Sequence, residues 1–251
     1  MKVIINGALG YMGRLLTKRV DDAPDMEIAA LVDHGSDEES IYKNLNDIPA
    51  VWNEQGNASE YIVIDFSNAS GTEALLEFGL KNRIPLLIAT TGQSDEQRNL
   101  IREASKEIPV FYSGNMSLGV ALLADLVRQT VSKFPDADIE IVETHHVRKV
   151  DAPSGTALLL ADAAKAVNPA LEINVGRSGF SKREANEIGI SSVRRGNIVG
   201  IHEVIISTES QSITLKHEAH DRGLFADGAI SAARFLVNQA PGLYDMKSLI
   251  D

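Results

Sequence analysis

VIINGALGYMG, residues 3–13, joins a run of β-branched residues to a glycine turn and the start of a helical pattern. A phosphate-binding turn needs this context, because glycines let the backbone approach a pyrophosphate and the helix N-terminus offers unpaired N–H groups. The spacing here is Gly-x-x-Gly-x-x-Gly, and Leu9 stands where the standard fingerprint has its middle glycine. The turn therefore either binds a dinucleotide or is a tight turn without a ligand.

Asp33 favours the dinucleotide. It follows a second apolar run, 29–32, about 20 residues past the last glycine, where an acidic side chain commonly accepts a hydrogen bond from an adenosine ribose hydroxyl. The same carboxylate would repel a 2′-phosphate, and neither Tyr11 nor His34 is a permanent cation. We therefore expect NADH to be used well, with NADPH as the open alternative.

Short apolar runs alternate with amphipathic helical patterns through the first half of the chain. The predicted strands are 3–5, 29–32, 61–66, 85–89 and 110–112, and the predicted helices are 11–21, 71–82, 94–106 and 117–134. Such alternation is typical of parallel strands joined by helices. It predicts an α/β fold with a Rossmann-like doubly wound parallel sheet.

From about Asp138 the pattern changes to strands with fewer helices. The predicted strands are 138–144, 189–195, 198–208 and 211–217, with a tight turn at 209–210. They indicate a second, α+β domain built on a mixed open sheet, in which 168–188 is expected to be a mobile loop. A helix at 223–238 returns to the first domain. The predicted domains are 1–117 plus 222–251 for dinucleotide binding, and 118–221 for substrate binding and oligomerisation.

The composition argues against several classes of function. With 24 Lys and Arg against 35 Asp and Glu, the net charge of −11 offers no basic surface for nucleic acid. No uninterrupted apolar run reaches the roughly 20 residues that span a bilayer, so no membrane partner is expected. The N-terminus enters a strand pattern at once, without the pattern of a signal peptide, and the chain has no cysteine. We therefore predict a cytoplasmic location.

A second polar stretch, ETHHVRKVDAPSGTALLL at 143–160, lies between a predicted strand and an apolar helical run. Ser154-Gly155-Thr156 would begin that helix, where backbone N–H groups and hydroxyls form a receptor for an anion. Lys149 adds a cation suited to a carboxylate, and His145 can exchange a proton near neutral pH. The stretch predicts a site for an acidic small molecule that is protonated or deprotonated.

Two other interpretations of this stretch are a metal site and a solvated polar loop. The metal site is disfavoured because the adjacent His145 and His146 would point to opposite faces of a strand, and no third ligand is suitably spaced. We therefore predict no bound metal, while the polar loop stays open as an alternative.

The run from Glu143 to Ala157 resembles the signature of the dihydrodipicolinate reductase family, also called 4-hydroxy-tetrahydrodipicolinate reductase, of the diaminopimelate and lysine pathway. The element His-His-x-x-Lys-x-Asp-Ala-Pro-Ser-Gly-Thr is highly specific for that family. The resemblance covers nearly the whole chain and includes the segments 7–13, 65–67, 89–92, 115–119, 194–202 and 225–229.

The resemblance implies an NAD(P)H-dependent reductase in which a hydride adds to C4 of a cyclic imine dicarboxylate and a histidine protonates the neighbouring carbon. It assigns catalytic roles to His145, as the acid, and to Lys149, which holds a substrate carboxylate. The other implied substrate contacts are His146, Ser154, Gly155 and Thr156. The implied cofactor contacts are Gly7, Ala8, Leu9, Gly10, Tyr11, Met12, Asp33, Phe66, Ala89, Thr90, Thr91, Ser113, Gly114, Asn115 and Met116.

The chain departs from the family pattern at Tyr11, where an arginine is usual, and this puts a preference for the 2′-phosphate in doubt. The short segment 34–60 is expected to trim the cofactor contacts. Arg222 is interpreted either as a gate for ligands or as part of a surface ion pair. Members of the family are typically tetramers, so the resemblance implies a homotetramer that acts on a small dicarboxylate.

Two rival functions remain. Another two-domain NAD(P)-dependent dehydrogenase would oxidise an amino acid, whereas a non-catalytic dinucleotide sensor would bind the nucleotide without turnover. The polar cluster at 145–156 argues against the sensor, because a sensor needs no proton donor beside an anion pocket.

Overall fold

The computed structural model describes residues 1–49 and 60–250. The chain divides into two compact units, Met1–Ser117 with Gly223–Asp251, and Leu118–Arg222. Arg222, which was placed with the first domain in the sequence-based prediction, belongs to the second unit. The assignment of one unit to the cofactor and the other to the substrate stays a prediction.

The strands in chain order are β1 (Lys2–Asn6), β2 (Glu27–Val32), β3 (Tyr61–Asp65), β4 (Leu86–Ile88), β5 (Pro109–Tyr112), β6 (Asp138–His145), β7 (Glu172–Val175), β8 (Glu187–Arg194), β9 (Gly200–Ser207), β10 (Ser212–Ala219) and β11 (Gly242–Tyr244). The α-helices are α1 (Tyr11–Asp21), α2 (Thr72–Asn82), α3 (Asp95–Ala104), α4 (Leu118–Lys133), α5 (Gly155–Lys165) and α6 (Gly223–Leu236). Short 3₁₀ helices lie at Leu45–Asp47, Ala69–Gly71 and Met246–Leu249.

The first unit contains a six-stranded sheet in the order β11-β5-β4-β3-β1-β2, and its strands pair in parallel. Val3, Ile4 and Ile5 of β1 are completely buried, as expected for a central parallel strand covered on both faces. The strand order reverses between β1 and β3, and ligands of open α/β sheets bind beyond the carboxyl ends of the strands at such a point. The predicted Rossmann-like parallel sheet is confirmed.

Helices of the first unit cover this sheet. Helix α1 packs on α6, and α2 packs on α3. Helix α3 begins at a capping box in which the Ser94 hydroxyl accepts from the N–H of Gln97 and the Gln97 side chain accepts from the N–H of Ser94. In α6, Gly228 lies against the backbone carbonyl of Met116, where no side chain would fit. This contact holds the C-terminal helix to the loop that follows β5.

The second unit contains a five-stranded mixed sheet in the order β10-β9-β6-β8-β7. Strands β6, β7 and β8 run parallel, and β9 and β10 are antiparallel to their neighbours. One face packs on α4 and α5 through a core of aliphatic residues that includes Ile141, Ile190 and Val204, which are register neighbours. The predicted mixed sheet is confirmed.

Several element boundaries differ from the prediction. Segment 168–188, predicted as a loop, contains β7 and the first two residues of β8. Strand β7, Glu-Ile-Asn-Val, lies at the sheet edge and is only half-buried or exposed, so its pattern of apolar residues is weak. Strand β11 has only three residues and was not predicted. The β9–β10 hairpin is present, and its turn is closed by the N–H of Thr208 donating to the carbonyl of Gln211 at 2.8 Å.

Candidate active site and cofactor cleft

The glycine turn of the first unit lies between the ends of β1, β2 and β3. Gly7 has φ +85°, and a Cβ there would lie 2.6 Å from the carbonyl oxygen of Phe66. The N–H groups of Gly7 and Ala8 both donate to the carbonyl of Val32, at 2.9 and 3.1 Å. Gly13, one turn into α1, leaves no room for a side chain against the Gly7 carbonyl. The turn therefore requires glycine at these positions, and the missing side chains let a ligand approach the backbone.

A cleft of about 780 Å³ opens at this turn. Its lining includes Gly7, Gly10, Asp33 and Phe66, all predicted cofactor contacts, and the cleft lies beside the point where the strand order reverses. The cleft is in the size range of a cofactor pocket, and its glycine backbone suits a pyrophosphate. These features of the first unit fit a dinucleotide.

The other predicted cofactor residues fall into two groups. Ala8, Leu9, Tyr11 and Met12 belong to the glycine turn and the start of α1. Ala89, Thr90 and Thr91 follow β4, and Ser113, Gly114, Asn115 and Met116 follow β5, at the same carboxyl edge of the sheet. The side chains of Ala89, Thr90 and Met116 are buried, so contact of these residues with a ligand would be limited mainly to the backbone.

Asp33 is already hydrogen-bonded within the turn. Its Oδ2 accepts from the N–H of Leu9 and its Oδ1 from the N–H of Gly35, both at 3.0 Å. The backbone N–H of Asp33 donates to the carbonyl of Tyr42, which forms a parallel bridge with Val32. The segment 42–47 thus runs beside the end of β2 and contributes residues to the cleft.

Lys43 lies on this segment and lines the cleft. Its Nζ is 3.7 Å from a carboxylate oxygen of Asp37, whose side chain is fully exposed, so the pairing is weak. The sequence predicts that the short segment 34–60 trims the cofactor contacts. Residues 43–47 do line the cleft, and 50–59 lie outside the described residues.

In the second unit, His145 ends β6 and is 8% exposed. Its Nδ1 lies 2.5 Å from Oε2 of Glu143, which is 0% exposed. Arg194 of β8 donates from Nη1 to Oε2 and from Nη2 to Oε1 of the same carboxylate, at 2.8 and 2.7 Å. The N–H of Ser154 donates to Oε1 at 3.2 Å. One buried carboxylate therefore joins the histidine, an arginine and the start of α5.

The charges in this cluster shift the pKa values of its members. Burial alone would raise the pKa of Glu143, but hydrogen bonds from Arg194, Ser192 and His145 outweigh it and hold the pKa at about 2. Burial lowers the pKa of His145, and Glu143 opposes that shift. Burial and Glu143 thus act in opposite directions on the pKa of His145, and such opposing effects are common at sites of proton transfer.

His202 of β9 lies edge-on to His145, with ring centroids 5.1 Å apart. It is 4% exposed, and burial followed by the charge of His145 lowers its pKa to about 4. Its Nε2 lies 2.9 Å from the hydroxyl of Ser154, and this hydroxyl also accepts from the N–H of Ala157 as the N-cap of α5. The hydroxyl of Ser154, a predicted substrate contact, is thus occupied by the helix and by His202.

Lys149 and His146 follow the strand in a tight loop. Lys149 Nζ lies 2.8 Å from a carboxylate oxygen of Asp151, and this ion pair lowers the pKa of Asp151. The N–H of His146 donates to the carbonyl of Ile198, and Nε2 of His146 lies 3.5 Å from Nη2 of Arg222. Arg222 therefore contacts a predicted substrate residue.

All predicted substrate residues lie in one region of the second unit. Gly155 and Thr156 form the first turn of α5, one residue after the contact between Ser154 and Glu143. Sequence reasoning did not single out Glu143, Arg194 and His202 as functional residues. The signal for Glu143 was its spacing of two from His145 on a strand, which places both on the same face. Arg194 and His202 lie at the two ends of segment 194–202, and the resemblance of that segment to the family is the signal that could have identified them.

Within residues 1–49 and 60–250, no group of three or more His, Cys, Asp or Glu side chains is arranged to hold a metal ion. Across the same described residues, none of the helices has the length and apolar character needed to cross a bilayer.

Comparisons with known proteins agree on one family. Residues 1–116 match the family described as dihydrodipicolinate reductase, N-terminus, and residues 119–250 match dihydrodipicolinate reductase, C-terminus. A protein of Clostridium tetani called 4-hydroxy-tetrahydrodipicolinate reductase is 42% identical over 100% of this chain and 97% of its own. Its counterpart of the same name in Caldanaerobacter subterraneus subsp. tengcongensis is also 42% identical, over 100% and 98%.

A solved structure shares the fold. It is the dipicolinate-bound dihydrodipicolinate reductase from Paenisporosarcina sp. TG-14, with a TM-score of 0.77 and 24% identity over 98% of this chain and 97% of that chain. The fold, the family matches and the identity over the full length of the chain all point the same way. The chain belongs to the dihydrodipicolinate reductase family.

Proposed function

We propose that this protein reduces 4-hydroxy-tetrahydrodipicolinate, by way of dihydrodipicolinate, to tetrahydrodipicolinate with NAD(P)H, in lysine biosynthesis through diaminopimelate. The observation that carries the proposal is the contact between His145 and Glu143 beside the start of α5, in a chain of the dihydrodipicolinate reductase family. The relatives that are 42% identical carry the name of this activity.

The residues of the second unit have distinct roles in this reaction. NAD(P)H, when held by the glycine turn and Asp33, would supply the hydride that adds to C4 of the cyclic imine. His145 gives a proton to the carbon beside C4, and Lys149 and the first N–H groups of α5 bind a substrate carboxylate. Negative charge grows on the substrate as hydride arrives, so cations and N–H groups that are already in place stabilise the transition state without rearrangement.

Binding of the substrate has to compete with Asp151 for Lys149. Because Asp151 is largely exposed, the ion pair between them is screened by solvent and is weak. A substrate carboxylate that also receives N–H groups from Gly155 and Thr156 gains hydrogen bonds that Asp151 does not make. His146 and Ser154 complete the proposed pocket, the latter through its position at the helix start.

Both nicotinamide cofactors are proposed to serve, with NADH used well. Asp33 is suited to a free ribose hydroxyl and repels a 2′-phosphate. Lys43, which lines the same cleft, supplies the cation that Tyr11 and His34 do not. Lys43 thus offsets the repulsion by Asp33 and lets NADPH bind.

The active form is proposed to be a homotetramer. The face of the second sheet opposite α4 and α5 carries Val142, Val193 and Ile205, which are half-buried or exposed in the single chain. Association through such a face would remove these apolar side chains from water. Native mass spectrometry should give four times the 27.2 kDa mass of the chain, and a monomer would refute the assembly. A cytoplasmic location likewise stays a prediction.

The first test is oxidation of NADH and of NADPH, followed by loss of nicotinamide absorbance, with substrate generated in place from pyruvate and aspartate semialdehyde. Wild type and His145→Ala are compared, with His220→Ala, an exposed histidine of the same unit, as the matched control. We expect kcat to fall at least about 100-fold in His145→Ala and to stay unchanged in the control. In His145→Ala, the fold loss of kcat should exceed any fold change in substrate binding.

The alternative functions give different results. If folded protein binds the nucleotide and oxidises neither cofactor, the reductase function is refuted and the dinucleotide sensor is favoured. If it oxidises an amino acid with NAD, it is another two-domain dehydrogenase.

A further inference from the structure

Glu143 is an unusual residue for its position. It lies on the helix-facing side of the second sheet, where the two preceding inward positions of β6, Ile139 and Ile141, belong to the aliphatic core. Its side chain has 0% exposure. A carboxylate is almost never fully buried without partners, because removal from water is costly unless each oxygen is hydrogen-bonded.

The partners of Glu143 are all donors. Arg194 contributes two N–H groups in a bidentate arrangement, and the backbone of Ser154 contributes a third. An ionised carboxylate can only accept hydrogen bonds. Ser192 adds a side-chain hydrogen bond to the same carboxylate. The contact at 2.5 Å with Nδ1 of His145 therefore requires that Nδ1 carry a hydrogen atom.

The other ring nitrogen faces a different environment. Nε2 of His145 points toward Gly200, where a Cβ, if one were present, would lie 3.0 Å away. The glycine therefore leaves space beside Nε2. With Nδ1 bound to Glu143, Nε2 is the nitrogen that gains a proton when His145 becomes an acid and gives it up to the substrate.

Several charged and titratable groups face His145. Glu143 on β6 favours its protonated form, whereas Lys149 in the following loop and Arg194 on β8 disfavour it. Asp151 interacts with His145 as well, and His202 on β9 packs edge-on against its ring. His217 on β10 acts on His202 and so affects His145 only indirectly. Glu143 is the group in direct contact with Nδ1 of His145 that favours the cation.

We infer that Glu143, oriented by Arg194, is a positioning residue that keeps the hydrogen on Nδ1 of His145 and so makes Nε2 the proton-donating atom. Arg194 has a second contact, from Nη2 to the carbonyl of Asp151 at 2.8 Å, which ties the carboxylate to the loop after Lys149. One arginine thus couples the orientation of the acid to the loop that binds the substrate carboxylate. The inference rests on the proposed function for its kinetic part.

The opposing explanation is a purely structural ion pair, and the chain contains a suitable control. Glu187 at the start of β8 is 6% exposed and pairs with Arg177. It is a buried carboxylate held by an arginine, seven residues along the same strand from Arg194. Glu187→Gln removes a comparable buried charge at the other end of the strand from His145.

The kinetic test uses Glu143→Gln. The amide keeps the shape but can donate to Nδ1, which would favour the wrong tautomer, so we expect kcat to fall about 10- to 100-fold with KM for the substrate changed less than about threefold. Loss of the anion lowers the pKa of His145, so the decline of kcat at alkaline pH should begin at lower pH. Glu187→Gln should leave kcat and this pH profile unchanged. Arg194→Lys, which keeps one charge but loses the bidentate contact, should give an intermediate kcat.

Nitrogen NMR of the imidazole rings provides a readout that does not depend on turnover. In wild type, the His145 signal, identified by its disappearance in His145→Ala, should show hydrogen on Nδ1. Glu143→Gln should shift it toward the other tautomer. Hydrogen on Nε2 in neutral wild type would overturn the inference even if Glu143→Gln fails to fold. It is also overturned if Glu143→Gln and Glu187→Gln lose activity and thermal stability in parallel with unchanged pH profiles. Failure of the wild type to reduce the substrate would refute the proposed function. The NMR result alone would then decide the inference about Glu143.

Discussion

The carboxylate of Asp33 accepts a hydrogen bond from the backbone N–H of Leu9 at 3.0 Å. The residue expected to bind the ribose of the cofactor therefore also holds the glycine turn that would bind the pyrophosphate. A single side chain links the two halves of the proposed dinucleotide site.

Replacing Asp33 with Ala should raise KM for NADH about 10-fold, because both the ribose contact and the bond to the turn are lost. KM for NADPH should rise less, since the repulsion of the 2′-phosphate is removed as well. Steady-state kinetics with each cofactor measures the ratio. An equal rise for both cofactors would mean that Asp33 acts only by holding the turn.

Replacing Lys43 with Ala should raise KM for NADPH about fivefold and leave KM for NADH unchanged, because this lysine is proposed to pair with the 2′-phosphate, which NADH lacks, and not with the pyrophosphate that both cofactors carry. The effect should shrink at high salt, as expected for an exposed cation. Lys18→Ala, on the exposed side of α1, is the control with the same loss of charge. A change of equal size for NADH would contradict the assignment of Lys43 to the phosphate.

Stability should fall as the pH is lowered through the range in which His202 titrates. Burial holds the pKa of His202 at about 4, against an ordinary 6.5 in the unfolded chain. Between these two pKa values the unfolded state binds a proton that the native state does not. The free energy of unfolding therefore decreases as the pH is lowered through this range, by at most about 3 kcal/mol. Glu143 has a lowered pKa, so it reduces the free energy of unfolding only when the pH is below about its ordinary pKa of 4.5.

Urea unfolding at about pH 7 and about pH 5 measures this dependence. His202→Gln should flatten it, because glutamine can replace the contact from Nε2 to Ser154 and does not titrate. A pH dependence that stays the same in His202→Gln would assign the effect to His145 or His217, whose pKa values burial also lowers.

Ser154→Ala should cost about 1 kcal/mol of stability, because α5 loses its N-cap and His202 loses a partner. Ser94→Ala removes the N-cap of α3 and should cost a similar amount. Only Ser154→Ala should lower kcat, since the Ser154 hydroxyl contacts His202, which packs against the ring of His145, while the backbone N–H bond to Glu143 is kept. Thermal melts and kinetics of both variants separate the two effects, and equal activity in both would show that Ser154 has only a capping role.

Much of the architecture is local and was predictable. The glycine turn lies within eleven residues and its acidic partner at the next strand end, so spacing alone indicates a dinucleotide site. The element His145 to Thr156 is likewise continuous, and its place between strand and helix follows from periodicity. The parallel sheet follows from the alternation of strands and helices.

The pairings that complete the site were not predictable from local spacing, because they join distant parts of the chain. Arg194 is 51 residues from Glu143 and His202 is 48 residues from Ser154, and only the register of β6, β8 and β9 brings them together. The sequence also does not distinguish a buried carboxylate from an exposed one. Strand β7 was missed because an edge strand needs little apolar surface.

The first unit is built from both ends of the chain, whereas the second is one continuous segment. During synthesis the second unit is therefore complete while the first still lacks α6 and β11. Since domains fold as units, the cluster of Glu143, His145 and Arg194 can form before the sheet that carries the glycine turn has its final helix and edge strand. As the chain leaves the ribosome, the cluster that holds the acid would thus form earlier than the cofactor cleft.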